Sequence, residues 1–245
     1  MCTRVKLFVF LIKGVVVLAL GCESDPLRPP PDAIHARFDP TEGVIPMPTD
    51  ILRDDDTGVL DLPTDDEDLT PAEKEVYTFM NTLEGWPPST GAKVEFDGQL
   101  APNSVADETI QVYEYRPHSN VGSRFSGAKL ELSTDGRKVT VEPPEEGWPR
   151  GSTIAIVVRG GDKGVMGARG ETVACDAAFY FLRLTTPLNA HEDFRAFPGA
   201  TRKERERTAR DLETLRTELY PFFEDLEGRG IPRLEVAALW TFTIH

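Results

Sequence analysis

An Asp-Gly pair set between two alternating apolar runs is the clearest structural unit in this sequence. Lys129-Leu130-Glu131-Leu132 and Arg137-Lys138-Val139-Thr140-Val141 flank Ser133-Thr134-Asp135-Gly136. Alternation with a period of two puts apolar side chains on one face of a strand. Asp-Gly between two such runs predicts a β-hairpin closed by a type I′ turn, which needs positive φ at both central residues. The same alternation marks Ala92-Lys93-Val94-Glu95-Phe96 and Ile110-Gln111-Val112, which runs on into Tyr113 and Tyr115 with apolar residues on both faces. Thr153 to Arg159 and Ala177 to Leu184 alternate less and read as buried strands. Leu234 to Ile244 reads as a last strand, with Val236, Ala238, Trp240 and Phe242 on one face.

Two helices interrupt the strands. Thr70-Pro71-Ala72-Glu73 combines a capping box with Pro at the first helical position. Val76, Phe79, Met80 and Leu83 follow at helical spacing, and Gly85 ends the run. A second capping box, Thr201-Arg202-Lys203-Glu204, opens a helix that carries Leu212, Leu215, Leu219, Phe222 and Leu226 inward and stops near Gly228. Pro221 should kink that helix or split it, because it lacks an N–H and clashes with the preceding turn. Short strands separated by Gly and Pro turns predict a mainly β chain, a β-sandwich with one helix near its N-terminal part and a helical insertion before the last strand.

The N-terminus has a different character. Arg4 and Lys6 precede an apolar run from Leu7 to Gly21, which ends Leu18-Ala19-Leu20-Gly21-Cys22. A basic start, a short apolar run and small residues before a Cys read as a secretion signal. Fifteen residues interrupted by Lys13 fall short of the roughly twenty that span a bilayer. Glu23 to Arg37 holds four prolines and reads as an extended tether. The division is therefore a signal over 1–21, a Pro-rich tether over 22–37 and one folded domain over 38–245.

The segment ending in Cys22 resembles the lipobox of bacterial lipoproteins, with Ala19 where Leu is commonest. That resemblance implies that Cys22 is lipidated and becomes the first residue of the mature chain. Phe38-Asp39-Pro40, Ile45 to Leu52 (IPMPTDIL), Gly58 to Pro63 (GVLDLP) and Asn81 to Trp86 (NTLEGW) resemble the N-terminal domain of bacterial virulence-factor lipases. Phe96-Asp97, Leu100 to Val105 (LAPNSV), Val139 to Pro143 (VTVEP) and Gly147 to Thr153 (GWPRGST) are similar to the Ig-like domain of the surface-layer protein SbsA type. The resemblance covers roughly 38–244 and implies an Ig-like sandwich. In those lipases an α/β-hydrolase domain follows this module, whereas this sequence stops at His245, so no catalytic residue carries over.

The residues themselves offer little chemistry. Gly122-Ser123-Arg124-Phe125-Ser126-Gly127 has the wrong spacing for a nucleophile elbow and reads as a hairpin loop. His191-Glu192 begins like a zincin motif, but Arg195 stands where the second His is needed. Cys175 beside Asp176 reads as a packed thiol rather than a nucleophile. Three cysteines (Cys2, Cys22, Cys175) neither build a disulfide framework nor have zinc spacing. Gly160 to Gly164 lacks the Lys-Ser/Thr of a P-loop and reads as a connection between strands. Five bases between Arg202 and Arg210, interleaved with Glu204 and Glu206, make a solvated helix face.

Asp54, Asp55 and Asp56, with Asp61 and Asp65 to Asp68 following, form the best metal candidate, because calcium takes several closely spaced carboxylates. Gly58 and Val59 do not fit the ligand and glycine positions of an EF-hand, and a solvated turn tip is the preferred reading. The formal charge of −14 argues against nucleic acid as a partner, since binding a polyanion requires neutralising phosphates. Loss of 1–21 removes three positive charges from that −14 and leaves −17.

Together these readings predict a non-catalytic lipoprotein of the bacterial envelope, needing no cofactor and held at the outer membrane or cell surface through its N-terminal lipid. It would serve as a binding, spacer or adhesion module with an envelope protein or a hydrolase as partner. The alternative is the accessory part of a surface (lyso)phospholipase whose hydrolase is separate or missing.

Overall fold

The computed structural model describes residues 32–40, 43–54, 56–117, 119–188, 197 and 199–245. The expected signal, Cys22 and most of the tether lie outside the described residues. The body is already engaged at β1 (Ile34–Ala36), a stretch the sequence assigns to the tether, and Ile34, Ala36 and Phe38 are all buried. β1 pairs in parallel with β8 (Val173–Cys175).

Two antiparallel sheets contribute to one apolar core. The smaller has the order β2–β6–β5, built from β2 (Ala92–Glu95), β5 (Lys129–Leu132) and β6 (Lys138–Glu142). The larger runs β4–β3–β7–β9, from β3 (Ile110–Tyr115), β4 (Ser123–Arg124), β7 (Thr153–Arg159) and β9 (Val236–Thr243). Val94, Val139 and Val141 of the first sheet meet Ile110, Val112, Ile154, Ile156, Trp240 and Phe242 of the second.

The larger sheet is buried on its other face too. Tyr113, Tyr115, Ala155, Val157 and Leu239 belong to a second core with α2 (Ala177–Leu182) and α3 (Arg202–Gly228). This arrangement explains the weak alternation of Thr153 to Arg159, since a strand covered on both faces needs apolar residues at every position.

The architecture is accordingly mixed α/β rather than mainly β, with helix and strand in nearly equal shares. One reason is that Ala177 to Leu182, expected as strand, is helix. Asp176 caps it, its Oδ1 accepting from the Ala177 N–H at 2.6 Å, and Ala178, Phe179 and Leu182 turn inward at helical spacing. A short apolar run does not by itself distinguish strand from buried helix.

The other reason is that α3 runs as one element of 27 residues straight through Pro221. Leu212 and Leu219 before the proline and Phe223 and Leu226 after it all pack into the second core, so tertiary burial outweighs the roughly 3 kcal/mol helix penalty of proline. Phe223, not the expected Phe222, is the fully buried ring. Both predicted capping boxes form, at Thr70–Glu73 and Thr201–Glu204.

The β5–β6 hairpin is present with a different turn. The Gly136 N–H donates to the Ser133 carbonyl at 2.9 Å, which centres the turn on Thr134 and Asp135 and leaves Gly136 after it at φ +70°. The Ser133 N–H also donates to the Lys138 carbonyl at 2.9 Å, so four residues, Thr134 to Arg137, close the hairpin instead of the two of a type I′ turn. Along β9, Ala238, Trp240 and Phe242 share a face as expected, but Val236 does not. The ladder to β7 slips between Val158 and Arg159, and the extra residue turns Val236 toward the helices.

α1 (Pro71–Met80) forms as expected, but its apolar spacing is only partly covered by the fold. None of its residues is buried, and Val76 and Phe79 are 56% and 63% exposed. The covered side is that of Tyr77 and Met80, which pack on the first core. Asn81 at the helix end fixes this orientation, its amide exchanging hydrogen bonds with the Leu62 backbone at 2.7 and 2.9 Å.

Candidate functional site

A cleft of about 640 Å³ lies between α3 and the 3-10 turn Asp50–Leu52. Its walls are mixed: Ile51, Leu212 and Leu215 are apolar, while Asp50, Arg53 and Arg207 carry charge. Thr49 caps the turn, its hydroxyl accepting from the Ile51 N–H at 3.3 Å.

That cap sets Asp50 against the outer edge of β9. Asp50 Oδ1 accepts from the Thr243 N–H at 2.8 Å and Oδ2 from the Thr243 hydroxyl at 3.1 Å. Arg53 lies 3.7 Å from the same carboxylate and donates to Thr243 Oγ1 and the Gly58 carbonyl. Burial raises the Asp50 pKa, and the Thr243 bonds and Arg53 only partly offset it. Nearby, Gly85 makes a close approach that only glycine permits. At φ +155° a Cβ there would meet the Thr243 carbonyl at 2.7 Å, and the Trp86 N–H takes that carbonyl instead. The strand edge facing the cleft is thus tied down by Asp50 and Trp86. Asp50 therefore works as a clamp between the N-terminal segment and the C-terminal strand.

The acidic candidates have simpler surroundings. Asp54 and Asp56 are exposed, and Asp55 lies outside the described residues. Asp54 Oδ1 accepts from both the N–H and the hydroxyl of Thr57 at 2.7 Å, bonds that hold its pKa low. Among the described residues no three His, Cys, Asp or Glu side chains are grouped to hold a metal ion.

The other sequence candidates are scattered. Cys175 ends β8 in the second core, 2% exposed, and burial raises its thiol pKa. Ser123 lies on the exposed edge strand β4, paired with Glu114. His118 and His191 fall outside the described residues. Gly161–Lys163 forms a 3-10 turn after β7.

Two polar constellations escape the sequence reading. His35 Nδ1 lies 2.9 Å from Asp97 Oδ2, and the His35 N–H donates to Asp97 Oδ1 at 2.7 Å, joining β1 to the end of β2. The alternating apolar residues Ile34, Ala36 and Phe38 around His35 were the available signal for a strand there. The second is centred on Asp225, whose Oδ2 accepts from the Tyr115 hydroxyl at 2.7 Å and the Gly122 N–H at 3.2 Å. Arg229 pairs with both oxygens of Asp225 at 3.0 Å, and its guanidinium lies 5.0 Å from the Tyr113 ring centre. Burial alone would raise the Asp225 pKa, but Arg229, Tyr115 and Gly122 hold it low. Nothing sequential links Tyr115, Gly122 and Asp225, which meet only because α3 crosses the larger sheet.

No family model matches this chain, and no curated protein matches it. Among solved structures, similarity is found to bacterial surface-layer protein SbsC. Domains 1–6 of SbsC align at 17% identity with a TM-score of 0.25, over 35% of this chain and 12% of that one. The N-terminal part of SbsC aligns at 16% identity with a TM-score of 0.26, over 43% of this chain and 27% of that one. This chain therefore spans well under a third of the SbsC structures it resembles. The similarity is distant, and none of these comparisons links the chain to lipases or to lipoproteins.

Proposed function

We infer that this chain is a lipid-anchored structural module of the bacterial cell surface, serving as a binding or spacer domain without catalysis of its own. The observation that carries the reading is the order of segments in the sequence. A short signal-like run ends at Cys22, a proline-rich stretch follows, and the folded body begins by Ile34. Eleven residues lie between Cys22 and Ile34, and fully extended this stretch reaches at most about 40 Å. A lipid on Cys22 would hold the domain within that distance of the membrane, since each buried methylene contributes about 0.8 kcal/mol.

The polar groups of the described candidate sites support a structural role. Asp50 is bonded to Thr243, Asp54 to Thr57, His35 to Asp97, and the Cys175 thiol is packed in the core. Each has a partner or a packing role within the fold.

Detergent-phase partitioning of membranes expressing the chain tests the anchor. The wild type should enter the detergent phase and Cys22→Ser should leave it; equal partitioning of both would remove the basis for the reading. Turnover of lysophospholipid or simple esters by the purified protein, at rates well above buffer, would contradict the non-catalytic part.

A further inference from the structure

We propose that the outward face of α1 is a docking surface for a cationic amphipathic helix of a protein partner. Four large apolar side chains are exposed among the described residues: Val76, Phe79, Val121 and Leu234. Val76 and Phe79 stand three apart on α1, so they share one face of that helix. Ala72, also exposed, lies four residues before Val76 and extends the stripe. Spacing of four then three is that of a helix–helix seam, and it suits a second helix laid alongside. The side carrying Tyr77 and Met80 is already taken by the first core. α1 is therefore apolar on two sides, one covered by the fold and one open to water.

The charge around the stripe selects the occupant. Glu73 precedes Val76 by three residues and Glu75 precedes Phe79 by four, so a carboxylate neighbours each apolar residue. Asp65, Asp66, Glu67 and Asp68, all exposed, lead into the same helix. An apolar seam bordered by carboxylates is complementary to a seam bordered by Lys and Arg. A second copy would set the same carboxylates against each other on a chain of net charge −14, and anionic headgroups would be repelled in the same way. The proposal stands on the geometry of α1 and does not depend on the lipid anchor.

Fluorescence anisotropy of a labelled 21-residue Leu/Lys amphipathic helix, titrated with the full-length protein at about physiological salt, tests the surface. Saturable binding is expected, weakened at least tenfold by Val76→Ser with Phe79→Ser, and weakened as well by Asp68→Lys with Glu75→Lys. A Leu/Glu helix of the same pattern should not bind. Both variants alter exposed side chains, and circular dichroism would verify that each folds. Equal affinity of the serine variant would reduce the binding to charge attraction and overturn the proposal. So would a dimer in sedimentation velocity, or adsorption to phosphatidylcholine vesicles, that the serine variant abolishes.

Discussion

Asp50 shows how one carboxylate can join the two ends of a chain. Its oxygens accept from the Thr243 N–H and hydroxyl, on the edge of β9 that pairs with no strand among the described residues. Because burial raises its folded pKa above the unfolded value near 3.8, the folded state holds this proton more tightly. The resulting stabilisation is complete below the unfolded value and is lost as pH rises through the folded one. Asp50→Asn keeps an oxygen acceptor for Thr243 but cannot ionise. Urea denaturation between pH 4 and 7 should therefore show the variant gaining stability relative to wild type as pH rises. A difference that does not vary with pH would contradict this assignment.

Asp225 has the opposite sign. Its pKa is held low despite burial, so its contribution is present at neutral pH and lost as pH falls through the depressed folded value. A double-mutant cycle of Tyr115→Phe with Asp225→Asn should give a coupling of about 1.5–3 kcal/mol at pH 7, as for hydrogen bonds to charged groups. Additive effects would mean the pair does not hold the loop at Gly122 to α3.

At the scale of elements, α3 is the principal cover of the larger sheet. Phe223 is fully buried there, and its ring centre lies 6.2 Å from that of Phe179 on α2. Phe223→Ala should cost about 3–5 kcal/mol in urea denaturation, the range for large aromatic truncations in a core. A loss below about 1 kcal/mol would mean that the helical layer is loosely packed.

Which elements could be read in advance follows from how local their determinants are. Capping boxes and alternating strands depend on neighbours within a few residues, so Thr70, Thr201 and the β5–β6 hairpin were legible. The helix over Ala177–Leu182 was not, because six apolar residues satisfy either period, and the Asp176 cap together with burial against α3 favours the helix. For α1, two apolar faces compete, and the Asn81–Leu62 bonds, between residues 19 apart, decide which is covered. The Asp50 clamp was hidden for a stronger reason, since its partner Thr243 lies 193 residues away.

For the whole molecule, two antiparallel sheets with helices on the outer face of one make an acidic body. Its first described strand begins 12 residues after Cys22. In the proposed role such a body would act through its surface, carrying the exposed face of α1 within the reach of the tether from the membrane. Fold alone does not specify a function of this kind, so the account depends on what happens to Cys22.

The most direct measurement is mass spectrometry of the N-terminal peptide from the native protein, extracted in detergent from its own host. The account predicts a peptide that begins at Cys22 and carries acyl chains on that residue. A peptide that retains residues before Cys22, or begins at an unmodified residue, would contradict the lipid-anchored module.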